Sequence, residues 1–170
     1  MANSGDKVSF NDNLRPRIKI KHAWRKKLLI GEYQHSIDVK GRVFMPAKFR
    51  EELGDNFLIT KGIGKCLFVF SMEEWKTFAD KLKLIPMTDT SSQSFIRMLF
   101  ASACECEPDK QGRILLPQRL RDFAEMISDT VVIGVGSRAE LWSAENWDKY
   151  NEGAYKDYEA TLAKLAQLGI

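Results

Sequence analysis

The chain has little of what catalysis or membrane insertion requires. Its three cysteines, Cys66, Cys104 and Cys106, are an odd number without a disulfide-framework spacing. That suits a reducing compartment and argues against a stapled secreted scaffold. Histidine is scarcer still, with only His22 and His35. Cys104-x-Cys106, with Glu105 and Glu107, would put two thiols on one strand face. Structural zinc takes four nitrogen or sulfur ligands, however, and nothing in the sequence brings His35 or Cys66 to the pair, so packing is the expected role. Gly62-x-Gly64-Lys65 and Gly134-x-Gly136-Ser137 each hold a lone G-x-G, short of a P-loop or dinucleotide fingerprint. Both fall between strands, where hairpin turns account for them. No nucleophile motif is present, so neither an enzyme nor a small-molecule substrate, cofactor or metal is expected. No apolar run approaches the ~20 residues of a membrane span. The basic N-terminus leads to no apolar core with a cleavage site, so no signal peptide is expected.

Positive charge is also scarce where it first seems plentiful. The net charge is +3, but residues 1–27 carry eight Lys and Arg against Asp6 and Asp12. The rest of the chain holds 18 basic and 21 acidic residues. A folded body binding a polyanion must therefore do so through local geometry. Residues 1–28 read as a basic, disordered extension, able to touch phosphates non-specifically or else dispensable.

What the chain does have is a repeat, the first thing to seek in any sequence. Asp38–Pro46 (DVKGRVFMP) returns as Asp109–Pro117 (DKQGRILLP), with Asp, Gly, Arg and Pro in step. Beyond the motif, Lys48 matches Arg119, Phe49 matches Leu120, and Arg50 matches Arg121. Each copy reads as strand, tight turn, strand, short helix. Gly41 and Gly112 supply the positive φ of the turn, across which Asp38 can pair with Arg42 and Asp109 with Arg113. Val43–Met45 and Ile114–Leu116 are short apolar runs that suit strands buried on both faces. Pro46 and Pro117 fit the first helical position.

The parallel extends further. Strands are expected at Phe57–Thr60 and Cys66–Phe70, and again at Val131–Val135 and Ala139–Trp142. Ser71 and Glu74 form a capping box, with Phe70 and Trp75 at the spacing of a hydrophobic staple; Trp142, Ser143 and Trp147 repeat it without the Glu. Helices are expected around Gln93–Ala103, after a break at Pro86, and as one long tail helix after Ser143, whose apolar stripe is a packing face. The chain is thus divided into the extension 1–28, repeat one 33–75, linker helices 76–103, repeat two 104–147 and a C-terminal helix 148–170. Each unit of about 45 residues is too small to be secure alone, so the two should share a core or draw on neighbouring subunits.

The chemistry candidates left are the doubled basic residues. Arg42, Lys40, Lys48 and Arg50 in the first copy, and Arg113, Lys110, Arg119 and Arg121 in the second, surround a hairpin and helix start. One such set is most simply a solvated face, with Arg42 paired to Asp38. Two sets suit a repeating polyanion, and arginine offers a planar fork to phosphates or guanine edges. Double-stranded DNA is the expected partner; an oligomeric structural or protein-interaction scaffold is the alternative.

Both motif copies, Cys104-Glu105-Cys106 ahead of the second, Gly31-Glu32-Tyr33, Cys66-Leu67-Phe68 with Trp75, and Gly134-Val135-Gly136 with Leu141-Trp142 resemble the MraZ family. The resemblance covers about Leu29 to Tyr150. It implies an α+β fold of two tandem SpoVT-AbrB-like swapped-hairpin units, forming an intramolecular pseudo-dimer β-barrel with helices between and after them. It further implies a cytoplasmic, nucleoid-associated transcriptional regulator, assembled as a homo-oligomeric ring on repeated elements upstream of its own operon, the division and cell-wall gene cluster. By position, the DNA-contacting arginine falls on Arg42, with Arg113 its counterpart. Gln111 in place of Lys40 leaves repeat two less basic at that one point.

Overall fold

In the computed structural model the described residues are 28–169; the basic segment 1–27 lies outside them. Two matched units follow one another. The first runs β1 (Leu29–Ser36), β2 (Arg42–Phe44), α1 (Ala47–Leu53), β3 (Phe57–Lys61), β4 (Leu67–Ser71) and α2 (Met72–Leu82). Helix α3 (Thr90–Ser102) joins it to the second, which runs β5 (Cys104–Cys106), β6 (Arg113–Leu115), α4 (Gln118–Phe123), β7 (Asp129–Gly136), β8 (Ala139–Ser143), α5 (Ala144–Lys156) and α6 (Tyr158–Gln167). The fold is α+β with antiparallel pairing throughout.

Six strands form one sheet in the order β1-β7-β8-β4-β3-β5. Exchanging the strands of unit one for their counterparts in unit two reads this order backwards, so the sheet is palindromic about the β4–β8 seam. There Phe68 faces Glu140, flanked by Leu67 opposite Leu141 and Val69 opposite Ala139. The outer strands are traded: β1 pairs with β7 of the second unit over eight residues, and β5 pairs with β3 of the first over three. Neither unit completes its sheet alone. The main core accordingly mixes both, with Val43, Phe49, Phe57, Ile59 and Leu67 packed together with Ile114, Leu116, Leu120 and Leu141.

The two remaining strands, β2 and β6, pair only with each other, with Arg42 opposite Leu115, Val43 opposite Ile114 and Phe44 opposite Arg113. A closed barrel, implied by the family resemblance, is not what the described residues form. Edge strands β1 and β5 do not meet, and the three-residue β2 and β6 are too short to bridge them. A lone bridge, Ile37 to Val43, ties the ribbon to β1. Nor are the ribbon strands buried on both faces. Val43 and Ile114 are fully buried, whereas Phe44 is 44% and Leu115 60% exposed, because alternation in a two-stranded ribbon turns every second residue outward.

Helices α2 and α5 start where the sequence says. Ser71 Oγ accepts from Glu74 N at 3.2 Å and Ser143 Oγ from Asn146 N at 3.3 Å, each satisfying an orphan N–H of a first turn. Phe70 lies 5.8 Å from Trp75, as the staple requires. Pro46 and Pro117 sit one residue earlier than expected, as N-caps with extended ψ, leaving Ala47 and Gln118 to begin the helices. Helix α3 is seated by Thr60, whose hydroxyl donates to Leu99 O at 2.6 Å and lies 2.9 Å from Ser102 Oγ. The single tail helix is in fact two, broken at Asp157. α6 buries no residue, and its Tyr158 and Leu162 are exposed. No helix among the described residues is long and apolar enough to cross a membrane.

Gly134 marks the tightest backbone approach. A Cβ there would lie 2.4 Å from both Ile30 N and Leu29 C, which are backbone atoms of the paired strand and cannot yield without breaking the ladder. Gly134→Ala should therefore destabilise the fold by about 3 kcal/mol, the upper part of the overpacking range. Gly153→Ala, in α5 with nothing within 4 Å, should instead stabilise it by roughly 0.4–1 kcal/mol. Urea unfolding of the two variants against the parent checks both signs.

Candidate nucleic-acid interface

The repeated motif folds into two turns with matching hydrogen bonds. In the first, Asp38 O accepts from Gly41 N at 2.8 Å, and Asp38 N donates back to Arg42 O at 2.9 Å. Asp38 Oδ1 caps the turn from inside, accepting from Lys40 N at 2.9 Å and Arg42 N at 3.0 Å. The second turn repeats this with Asp109 Oδ1 taking Gln111 N and Arg113 N, both at 2.9 Å. Gly41 and Gly112 stand at φ +80° and +81°, where an L side chain is strained.

The other carboxylate oxygen braces the arginine. Asp38 Oδ2 accepts from Arg42 Nε at 2.8 Å and lies 2.7 Å from Nη2 in an ion pair; Asp109 Oδ2 accepts from Arg113 Nε at 2.9 Å and lies 2.7 Å from Nη2. Arg42 Nη1 also reaches within 3.9 Å of Asp109 Oδ2, so the two turns share one electrostatic cluster across the units. Cross-strand neighbours share a face, so Arg42, Phe44, Arg113 and Leu115 all lie on the outward side of the ribbon, with the core residues Val43 and Ile114 behind them.

The expected basic residues thus divide by role. Arg42 and Arg113 are half-buried and aligned on the ribbon. Lys40, Lys110 and Lys48 are exposed, the first two in the turns at opposite ends of it. Arg119 is exposed too, with long contacts of 3.5 and 3.4 Å to the carbonyls of Ala101 and Ser102 at the end of α3. Arg50 and Arg121 are held inward. Their Nε groups donate to Met45 O and Leu116 O, each at 3.1 Å. A Cβ on Gly112 would lie 2.7, 2.8 and 2.9 Å from Arg50 Cζ, Nε and Nη2, and one on Gly41 2.6, 2.8 and 2.9 Å from the same atoms of Arg121. Near-equal distances mean that each guanidinium plane faces the glycine of the other unit's turn. Sequence reasoning missed this lock, although glycine in both turns was its signal. It also missed the outward Phe44 and Leu115, which strict alternation would have exposed. The thiols of Cys104 and Cys106 lie half-buried against the main core. Burial pushes both up, that of Cys106 to about 12, which fits packing better than reactivity.

A doubled unit with traded strands, carrying a braced arginine at each of two matched turns, defines a class of tandem-repeat α+β protein in which one chain supplies both halves of a two-fold surface. The chain belongs to the MraZ family: the family model described as "MraZ protein, putative antitoxin-like" matches it twice, over residues 28–98 and 99–168. It is 50% identical over 138 residues to the transcriptional regulator MraZ of Carboxydothermus hydrogenoformans, covering 81% of this chain and 96% of that one. It is 53% identical over 143 residues to the protein of the same name from Heliobacterium modesticaldum, covering 84% and 100%. The counterpart in Alkaliphilus metalliredigens is 48% identical over 143 residues, again 84% and 100%. These relatives carry the name of regulators, not of enzymes.

The braces carry a pH signature. The Arg42 and Arg113 side chains, followed by the turn N–H groups, hold Asp38 and Asp109 down to about 2 from an ordinary 3.8. Between those values the unfolded chain binds more protons than the native one, so the contribution of each carboxylate is complete above about pH 4 and is lost as pH falls through 2. Urea unfolding between pH 5 and 2 should show stability falling with acid. The double variant Asp38→Asn/Asp109→Asn should start lower and show a shallower slope over that window.

Proposed function

We propose that this chain is a sequence-specific double-stranded DNA-binding transcriptional regulator, and that its two units work as a swapped-hairpin pseudo-dimer. The observation that carries the reading is the placement of both braced arginines on one outward face. Arginine reads guanine through a planar pair of donors, and a carboxylate gripping Nε and Nη2 fixes the plane in advance, which lowers the ordering cost of contact. Arg42 and Arg113 are assigned to base edges. Lys40, Lys110, Lys48 and Arg119 are assigned to phosphates, which position the protein without specifying sequence. Arg50 and Arg121 serve the interface by holding the turns. The relatives' name, transcriptional regulator, supports the same reading. The target is assigned to repeated elements upstream of the protein's own operon, the division and cell-wall cluster, which places it in the cytoplasm on the nucleoid.

A ring of subunits completes the mechanism. Three-residue strands and a few cations grip a single site weakly. A second subunit meeting the next site at an effective concentration up to the millimolar range raises avidity by ~10²–10⁴. The alternative, an oligomeric scaffold, draws on the uncovered apolar side chains of α6. Binding of the full chain to duplex DNA from upstream of its own gene, titrated at several salt concentrations, separates the two.

Arg42→Ala should weaken that binding by at least tenfold, the loss of about one good base contact, while the chain stays folded with oligomer size unchanged and loses only the stability that the Asp38 brace supplies; Arg113→Ala should do less. Dissociation or unfolding of Arg42→Ala would assign the residue to structure alone. Tandem sites one helical turn apart should bind far better than one site. An insertion of about half a turn between them should abolish the gain by rotating the second site to the far side of a stiff duplex.

A further inference from the structure

The outward ribbon face holds two apolar side chains that lie outside the core. Phe44 and Leu115 occupy matched positions in the two units, each directly opposite an arginine: Phe44 faces Arg113, and Leu115 faces Arg42. The core side of the ribbon is already filled by Val43 and Ile114. Phe44 is 44% and Leu115 60% exposed; the only aromatic neighbour of Phe44 among the described residues is His35, 6.0 Å away between ring centroids.

The face is small. Three residues at ~3.4 Å each make it ~10 Å long, on two strands ~4.8 Å apart. A stable protein interface needs ~800 Å² per partner, far more than this ribbon offers. The B-DNA major groove, ~12 Å wide, admits a two-stranded ribbon, and within it the one apolar group on the base edges is the thymine C5-methyl. Charge agrees with that partner at the ribbon's ends, although Asp129 and Asp148 line the cavity beside Phe44. Asp38 and Asp109 are consumed by their arginines, while Lys40 and Lys110 stand exposed at the two ends of the ribbon, where the groove's phosphate walls would lie.

We propose that Phe44 and Leu115 are specificity-determining residues that pack against thymine C5-methyl groups in the major groove, beside the bases met by Arg113 and Arg42. This rests on the DNA-binding reading and adds base identity to it. The arginines select guanine and the apolar pair selects thymine nearby, so a site that keeps its guanines but loses these thymines binds poorly.

The test compares two duplexes of the same upstream sequence, one with thymine and one with deoxyuridine at every thymine position, which keeps pairing and removes only the methyl. Fluorescence anisotropy with the full chain should show roughly fifteenfold weaker binding to the uracil duplex, about fourfold for each of two buried methyl-sized groups. The double variant Phe44→Ala/Leu115→Ala should bind the thymine duplex about as weakly as the parent binds the uracil one, with little further loss on uracil. Phe44→Leu, which keeps an apolar contact, should retain most of the methyl sensitivity. Parent and variant meet the same altered duplex, so any effect of uracil on groove shape cancels in the comparison. Equal affinity of the parent for both duplexes, or a double variant as methyl-sensitive as the parent, overturns the proposal while DNA binding stands. A change in oligomer size in the double variant overturns it in favour of a subunit contact. If the parent prefers the upstream duplex no more than a shuffled one, both readings fall together.

Discussion

The arrangement of this structure depends on the strands that each unit pairs with the other, since among the described residues only the β3–β4 and β7–β8 hairpins are paired within a unit. β1 finds its partner in β7, β5 in β3, and β2 in β6. The turns are locked in the same reciprocal manner: Met45 N donates to Gly112 O at 3.0 Å, and Leu116 N to Gly41 O at 2.9 Å. Arg50 and Arg121 then cover the opposite glycines. A unit taken alone would leave ribbon N–H groups without partners and its own buried pair, Val43 and Met45 or Ile114 and Leu116, in water. Unpaired buried backbone groups are costly and small units bury little, so each half is stable only as far as the other is present. The arrangement at the outward face follows, since the cross-unit ladder is what sets Arg42 and Arg113 side by side.

That face also explains why net charge is a poor guide here. Each arginine is neutralised by its own aspartate, so the ribbon gains direction at the expense of field. A free arginine would attract any phosphate at long range; a braced one contributes little until it meets a matching pair of acceptors. On the proposed DNA-binding reading, discrimination falls to geometry and attraction to the lysines at the ribbon's ends. This division fits a described body that is not basic overall and that, on the same reading, tells one stretch of polyanion from another.

Much of this was legible in the sequence because the repeat was. Asp38-x-x-Gly41-Arg42 and Asp109-x-x-Gly112-Arg113 state both the turn and the brace, and Ser71 and Ser143 announce their helices three residues before the groups they cap. What the sequence could not state is which partner each strand takes. A run such as Val43–Met45 is apolar whether it is buried on two faces or one, and only the pairing of β2 with β6, away from the main sheet, exposes Phe44. Closure into a barrel was implied by the resemblance alone, and the short apolar runs do not reveal that β2 and β6 pair only with each other, apart from the six-stranded sheet. The break at Asp157 was hidden because the apolar spacing of the tail runs on through it. Arg50 and Arg121 were legible as basic helix residues, but their inward role depends on a glycine in the other unit, which no local pattern encodes.

Joining the two units in one chain has a consequence beyond stability. Two identical chains would present identical turns, since any substitution in one appears in both. Here the turn backbones agree to within about 0.1 Å in their hydrogen bonds, yet their side chains have diverged. Val39 of the first turn corresponds to Lys110 of the second, Lys40 to Gln111, and Phe44 of the ribbon to Leu115. The linker makes pairing intramolecular, so it no longer depends on protein concentration. With pairing secured in that way, matched positions outside the core are free to differ, because neither the ladder nor the Asp brace involves their side chains. A two-fold scaffold can then carry two different readers, and its orientation on a duplex acquires a meaning that a true homodimer's symmetry would erase.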